Sequence, residues 1–335
     1  MSAMLKRSGR ILGFLVLVVV IGGAFALAEP RFLNAVTLNG IMRHMAANGL
    51  AALGLTFVVI VNKFDLSIAG IAAFAAMTMG TFIAMGLGLY VAIAVGIVVG
   101  AFIGFLTGTA IGRFGLPDIV TTIAVGSICA GLAFVYTGGR SIFENFFNSG
   151  IIELNDARFL GVGVSLWFLV AVYGAAWLVM HKTRTGVAFC ATGENPVAAY
   201  YSGIPIARYV TLAYVACAIC TVLAVLLILA ESGNAETNKG ANLMMPAYAG
   251  VFLGTAIMGG TSVLATFAGI LLITMLLDGF SLMGVPYFYS DGVVSLILLC
   301  GVIAFSEGLR SRVAALAVMF GLGRPDPASA REGRS

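Results

Sequence analysis

Few residues in this chain are equipped for chemistry, and their spacing argues against catalysis. His44 and His181 stand far apart in sequence, near opposite ends of apolar runs, and offer neither a metal pair nor a proton relay. Of the 5 cysteines, Cys129, Cys217, Cys220 and Cys300 fall inside apolar runs and Cys190 lies in a polar loop. Cys217 and Cys220 make a C-x-x-C pair, but no histidine or second pair accompanies it, so it reads as buried thiols rather than a metal or redox site. The chain carries no H-E-x-x-H, no P-loop and no G-x-S-x-G. No acidic pair of the D-x-x-x-D kind is placed to hold magnesium and a diphosphate. A membrane enzyme is therefore disfavoured. No metal site and no bound cofactor are expected, and any ATP-driven work must draw its ATP and magnesium from a separate subunit.

Three other stretches carry polar side chains in patterns that mean something. In the first, Thr185 to Pro205, Asn195 is suited to accept a backbone N–H at a helix start and Pro196 suits the first helical position. Gly203 and Pro205 are suited to end that helix. The expectation is a short, bounded helix over Pro196–Ser202, about 10 Å long, either a plain loop helix or a peg for a partner protein. In the second, Ile142, Phe143, Phe146 and Phe147 share a helical face opposite Glu144, Asn145 and Asn148, which predicts an amphipathic helix lying in the membrane interface. Arg140, Glu144, Glu153, Asp156 and Arg158 cluster around it, as a docking surface or a solvated loop. The third comprises isolated acids near the ends of apolar runs. Asp65, two residues before Ser67, reads as a helix cap or as a gate or path residue; Asp278 and Asp291 flank a turn. Ionisable residues at membrane depth are functional by default, but these are expected near interfaces and away from span centres.

The elements that position these residues emerge from composition. The chain has 335 residues, 61% hydrophobic and only 10% charged, against roughly 25% charged in soluble domains. Its apolar residues cannot all enter one aqueous core, so the alternative solvent is lipid. Runs near the roughly 20 residues needed to cross occur at about 11–28, 40–61, 66–85, 89–111, 119–136, 161–180, 209–230, 243–258, 262–277 and 292–305. This predicts an all-α polytopic membrane protein of about ten transmembrane helices, residues 1–306, with an inner loop at 182–208 and an outer loop at 138–160. The first run comes after Lys6, Arg7 and Arg10 and exceeds the usual signal-peptide core, so it is expected to stay as a membrane helix. Residues 307–335 are polar and basic, a tail expected to be cytoplasmic and disordered. With the N-terminus inside, all but Arg31, Arg43, Arg140, Arg158 and Lys239 of the 18 lysines and arginines lie on the cytoplasmic side, which places both termini there. The basic residues form no stripe, so nucleic acid is not a partner. Gly96, Gly100, Gly104, Gly108 and Gly112 recur every four residues along the fourth run, a flat packing face or a face on which a helix slides. Trp167 and Trp177 mark the two interfaces of the sixth.

The ordered set of polar stretches resembles the permease subunits of ribose-type ABC importers, which also serve xylose, arabinose and related small molecules. Asp65-Leu-Ser with Gly70 resembles the family's G-G-x-D-L-S-x-G segment. Pro117-Asp-Ile-Val-Thr-Thr122 and Thr137-Gly-Gly-Arg140 resemble its P-x-F-I-V-T-L and T-G-G-R segments, and Gly193-Glu-Asn-Pro-x-Ala-Ala-x-x-Ser-Gly-Ile204 is the closest match. Phe252-Leu-Gly through Met258-Gly-Gly260 and Asp278-Gly-Phe-Ser-Leu-Met-Gly-Val285 resemble its V-L-G-G-T-S-x-x-G-G and N-G-L-N-L-L-G-V runs. Departures occur at Asn62 and Lys63, where the family has glycines, at Gly70, one residue late, in the block after Gly254, which lacks a second glycine, and at Asp278, where the family has asparagine. The resemblance implies the importer permease fold with inverted helix repeats, in a bacterial inner membrane. It implies pairing with a second permease copy and import of a small sugar or polyol along a path or gate involving Asp65, Ser67 and Asp278. Glu194, Asn195, Pro196, Ala198, Ala199, Gly203 and Ile204 would form the helix that couples to the ATPase subunit, and the loop around Arg140 would receive a periplasmic substrate-binding protein. Thr137-Gly-Gly-Arg140 favours this branch over the branched-chain amino-acid permeases. An ion-coupled secondary transporter would need carboxylates near the midplane.

Overall fold

The computed structural model describes residues 2–305, with the side chains of 2–8, 287, 291, 298 and 300–305 excepted. The expected tail and the side chains of Lys6, Arg7, Asp291 and Cys300 lie outside the described residues. The chain is built from helices: α1 (Ser2–Ala28), α2 (Ala35–Ile60), α3 (Ile68–Ala84), α4 (Leu89–Gly112), α5 (Asp118–Thr137), α6 (Ile151–Asp156), α7 (Val164–Lys182), α8 (Arg184–Glu194), α9 (Pro196–Tyr201), α10 (Ile206–Ser232), α11 (Met244–Met258), α12 (Val263–Leu282) and α13 (Tyr287–Phe305). A small hairpin, β1 (Arg158–Phe159) with β2 (Val162–Gly163), precedes α7.

Seven of the described helices (α1, α2, α4, α5, α7, α10 and α12) are long and apolar enough to cross a bilayer. Each of the ten apolar runs is helical, but α3, α11 and the apolar stretch of α13 are shorter than a full span. At 1.5 Å per residue, α3 (17 residues) is about 25 Å long and α11 (15 residues) about 22 Å, both less than the roughly 30 Å hydrocarbon core. In both cases irregular chain adjoins the helix: residues 61–67 before α3 and 233–243 before α11. Gly240 of the second segment lies so close to Ala72 that a side chain there would overlap it.

Burial sorts the helices into a centre and a periphery. The spanning windows of α2, α10 and α12 are 72%, 67% and 61% buried, while those of α1, α4 and α5 are 6%, 22% and 22% buried. The central helices are rich in alanine and glycine, which lets backbones approach without a hydrophobic driving force in lipid. The glycines of α4 lie against α10. A Cβ on Gly104 would stand 2.6 Å from the Tyr214 carbonyl oxygen and one on Gly108 2.6 Å from Thr211 Cα. Gly100 faces Val222, and Gly96 faces Met79 of α3 as well as Val222. α1 is attached differently: Phe25 stacks on Phe32 and meets Phe280 edge-on, in a small apolar cluster apart from the main core.

Candidate functional site

At one end of the bundle, α7 is succeeded by two helices outside the spans. Thr183 starts α8 by accepting from the Gly186 N–H. α8 packs through Ala188, Phe189 and Thr192, with the Phe189 ring meeting Phe57 and Tyr209. Burial pushes the Cys190 thiol up, and Glu194 adds to the effect. Gly193 seats α8 against the end of α2, where any side chain would overlap the Ile60 carbonyl. The chain then turns at Asn195, whose Oδ1 accepts from the Ala198 N–H at 2.9 Å, and Pro196 opens α9. Gly203, at φ +79°, ends it, while the N–H groups of Gly203 and Ile204 close on the carbonyls of Tyr200 and Ala199. Within α9 only Ala199 is buried. Val197, Tyr200 and Tyr201 are 66%, 69% and 83% exposed, and Glu194, Asn195, Pro196, Ala198 and Gly203 are exposed too, Ile204 less so. A six-residue helix is far below the length that holds itself in water. Its caps and the Ala199 contact hold it, and it presents an apolar and aromatic tip.

The irregular stretch before α3 holds Asp65 and Ser67, which are 1% and 0% exposed. Buried backbone outside a helix needs partners, and distant side chains supply them. Asp118 accepts from the Phe64 N–H at 2.9 Å, and the Tyr214 hydroxyl donates to the Phe64 carbonyl at 2.7 Å. The Tyr248 hydroxyl lies 2.9 Å from both the N–H and the carbonyl of Asp65, accepting from one and donating to the other. The Asp65 carboxylate accepts from the Ser67 N–H and hydroxyl. It therefore braces the turn into α3 and makes no ion pair among the described residues. Asp65 is fully enclosed, because the segment folds inward against α10 and α11.

At the opposite end, Asp278 belongs to a group that the sequence did not reveal. His44 Nδ1 lies 2.7 Å from Asp278 Oδ1, and His44 Nε2 lies 3.3 Å from Glu231 Oε1. Arg43 approaches the same Glu231 oxygen at 3.9 Å. One imidazole thus bridges α10 and α12 from α2. The Asp278 side chain is 16% exposed, and its second oxygen is buried without a partner. Among the described residues no cluster of histidine, cysteine and acids is arranged to hold a metal. The sequence signal was there: Arg43 and His44, Glu231 and Asp278 all lie on the outer side of the charge-based topology, where ionisable residues at span ends invite pairing.

The outer loop departs from expectation. No amphipathic helix forms over 142–148. Ile142 instead pairs with Ala235 as a β-bridge, Asn145 takes a left-handed φ of +62°, and only Phe146–Asn148 make a single 3-10 turn. Phe146 is fully buried, so the four apolar residues do not share one face toward lipid. Arg140, Glu144, Glu153, Asp156 and Arg158 are all exposed and form no ion pairs with one another among the described residues. The structure brings Arg140 and Glu144 together with Tyr136, Thr137 and Ser141 around a cavity of about 600 Å³. Glu153, Asp156 and Arg158 sit apart, on α6 and the β-hairpin.

The family described as branched-chain amino acid transport system / permease component matches residues 37–302. A ribose import permease of Bacillus subtilis (strain 168) is 30% identical over 304 residues, which covers 90% of this chain and 93% of that protein. The ribose import permease of Escherichia coli (strain K12) is 27% identical over 90% of this chain and 94% of its own. An autoinducer 2 import system permease of Photorhabdus temperata is 28% identical over 85% and 87%. No solved structure matches the chain. A buried core of small-residue helices, seven of them able to span, and a match running from α2 through most of α13 make one statement together: this chain is a multi-pass inner-membrane protein belonging to the permease family of ABC importers.

Proposed function

We propose that the chain is the membrane-spanning subunit of an ATP-driven importer that carries a small sugar or polyol from the periplasm to the cytoplasm. The observation that carries this is α9. A helix of six residues is capped at both ends and held by Ala199, and it leaves Val197, Tyr200 and Tyr201 uncovered. Rigid exposed aromatic tips are what protein partners bury. In this reading α9 and its flanking residues, from Glu194 to Ile204, sit in a groove of the ATPase subunit, which binds ATP and magnesium. α8 packs against α2 and α10 and carries α9, so movement of α9 reaches the core. The cavity around Arg140 and Glu144 faces the periplasm and receives the binding protein, while Glu153, Asp156 and Arg158, apart from it on α6 and the β-hairpin, offer a second contact. A second permease copy completes the path. The bridge of His44 to Glu231 and Asp278 closes its outer end, and the turn braced by Asp65 and Ser67 flanks it further in.

Sugar rather than amino acid as cargo is supported by the Thr137-Gly-Gly-Arg140 segment and by relatives whose names specify ribose and autoinducer 2. Buried Asp65 is the one feature that favours ion coupling, but Ser67 engages its carboxylate within the same turn. The deciding experiment is to tag the chain, extract it in mild detergent and identify what copurifies. A soluble P-loop ATPase is expected. A chain that elutes alone even after cross-linking refutes the reading and leaves ion coupling in its place.

A further inference from the structure

At the α8–α9 end a second cavity of about 600 Å³ opens between the start of α1, the end of α7 and the α11–α12 turn. Its polar wall carries one fixed cation, Arg10, beside His181, Thr261 and Ser262, and no acidic side chain lines it. Arg10 is only partly engaged. Its Nη1 donates to the Met258 carbonyl at 2.9 Å, its one protein hydrogen bond among the described residues. The other guanidinium N–H groups remain for a ligand. Gly259 makes room for it, since any side chain there would overlap the guanidinium. Beside this wall the His181 ring stacks on Trp177 at 5.6 Å, and the Lys182 ammonium sits 5.6 Å from the same indole. The rest of the wall is apolar. Ile11 and Leu264 line it and are 44% and 52% exposed, and α1, which supplies Ile11, is the least buried of the spanning helices. The cavity thus joins a cationic rim to a wall continuous with the lipid-facing side of α1.

We propose that this cavity binds the phosphate headgroup of an anionic phospholipid, with an acyl chain along Ile11 and Leu264. Phosphate is what the partly free guanidinium and the neighbouring Lys182 ammonium recognise. The apolar wall selects a lipid over a soluble phosphate. Basic pockets between spanning helices at a membrane surface bind such headgroups by the same combination. The site fastens α1, whose remaining attachment is the small Phe25 cluster, to the α11–α12 turn.

The chain carries its own reporter. It has 2 tryptophans, so Trp167→Phe leaves Trp177 as the only one, next to the cavity. The full-length variant is reconstituted in phosphatidylcholine, and Trp177 emission is titrated with brominated phosphatidylglycerol or brominated phosphatidylcholine. Phosphatidylglycerol is expected to quench at a several-fold lower mole fraction. Arg10→Gln should reduce that preference about fivefold, as one interfacial cation is worth, and Arg10→Lys should keep most of it. If Arg10→Gln does not insert, Lys182→Gln, which leaves the Arg10–Met258 bond in place, should still lower the preference. Equal quenching by the two lipids, or a preference that survives loss of the cation, overturns the proposal. A preference abolished by millimolar inorganic phosphate also overturns it, since the cavity would then take a soluble anion.

Discussion

Replacing Gly104 and Gly108 with alanine tests how the bundle is held, because the structure fixes both the sign and the size of the effect. A Cβ on Gly108 would lie 2.6 Å from Thr211 Cα and 2.9 Å from the Thr211 carbonyl oxygen; on Gly104 it would lie 2.6 Å from the Tyr214 carbonyl oxygen and 2.9 Å from Val215 Cα. Carbon atoms pack best at about 3.5–4.0 Å, so α4 and α10 must part by about 1 Å at this crossing. The opposing atoms are backbone and cannot swing away. Overpacking of this kind costs about 1–3 kcal/mol, while alanine regains about 1 kcal/mol of helix propensity over glycine. Each single variant should therefore lose about 0–2 kcal/mol. The double variant should lose less than the sum, since one separation relieves both clashes. Gly174 of α7 has nothing within 4 Å of its would-be Cβ, so Gly174→Ala should hold or gain up to about 1 kcal/mol. Gly100 meets only a Val222 methyl closely and should fall between. The assay is thermal unfolding of the purified chain in detergent, read by loss of a monodisperse peak. If Gly174→Ala is as damaging as Gly108→Ala, or both Gly104 and Gly108 accept alanine without loss, close helix approach is not what holds α4 to α10.

Replacing Asn195 and Pro196 with a glycine pair costs only about a few tenths of a kcal/mol at the cap itself but frees the backbone that proline fixes at the start of a helix too short to stand alone; membrane insertion should persist while coupled uptake into vesicles is lost, and undiminished uptake would refute the coupling role of α9. Arg140→Glu should weaken stimulation of ATPase activity by the binding protein and leave the basal rate unchanged; an unaltered response reduces that loop to scaffold. His44→Leu strands the half-buried carboxylate of Asp278 and should cost about 1–3 kcal/mol, whereas Asp278→Asn keeps an oxygen for His44 and should stay within about 1 kcal/mol of the parent; equal melting losses in the two variants would contradict the bridge. Tyr248→Phe removes the hydroxyl shared by the Asp65 N–H and carbonyl and should cost about 1–3 kcal/mol, with unchanged melting as the outcome that discards the bracing role.

The helices were readable because in lipid a spanning segment must satisfy its own backbone, so local hydropathy nearly determines them. α9 was readable for a related reason, since its start and stop signals, Asn195, Pro196 and Gly203, lie within the segment. α8 escaped because Arg184 to Glu194 mixes threonine, glycine and charge around an apolar run of only five residues, Val187 to Ala191, although Thr183 was an available cap signal. The helix expected over 142–148 failed for the converse reason. Seven residues show a period by chance, and the β-bridge of Ile142 to Ala235 outweighed it. Asp65 and Asp278 owe their surroundings to Tyr248 and His44, 183 and 234 residues away in sequence, and no local pattern encodes such a pairing. These misses share a physical origin. Wherever the chain leaves the helix inside the body, or an ionisable group sits at a span end, its partners must come from another span. The sequence does mark where such demands arise: at the break between α2 and α3, where a polar Asn62-Lys-Phe-Asp stretch interrupts apolar runs, and at Arg43, His44, Glu231 and Asp278. Once orientation is assigned from the lysines and arginines, the last four fall on one side, and pairing them with each other is the arrangement that leaves the fewest charges unmet.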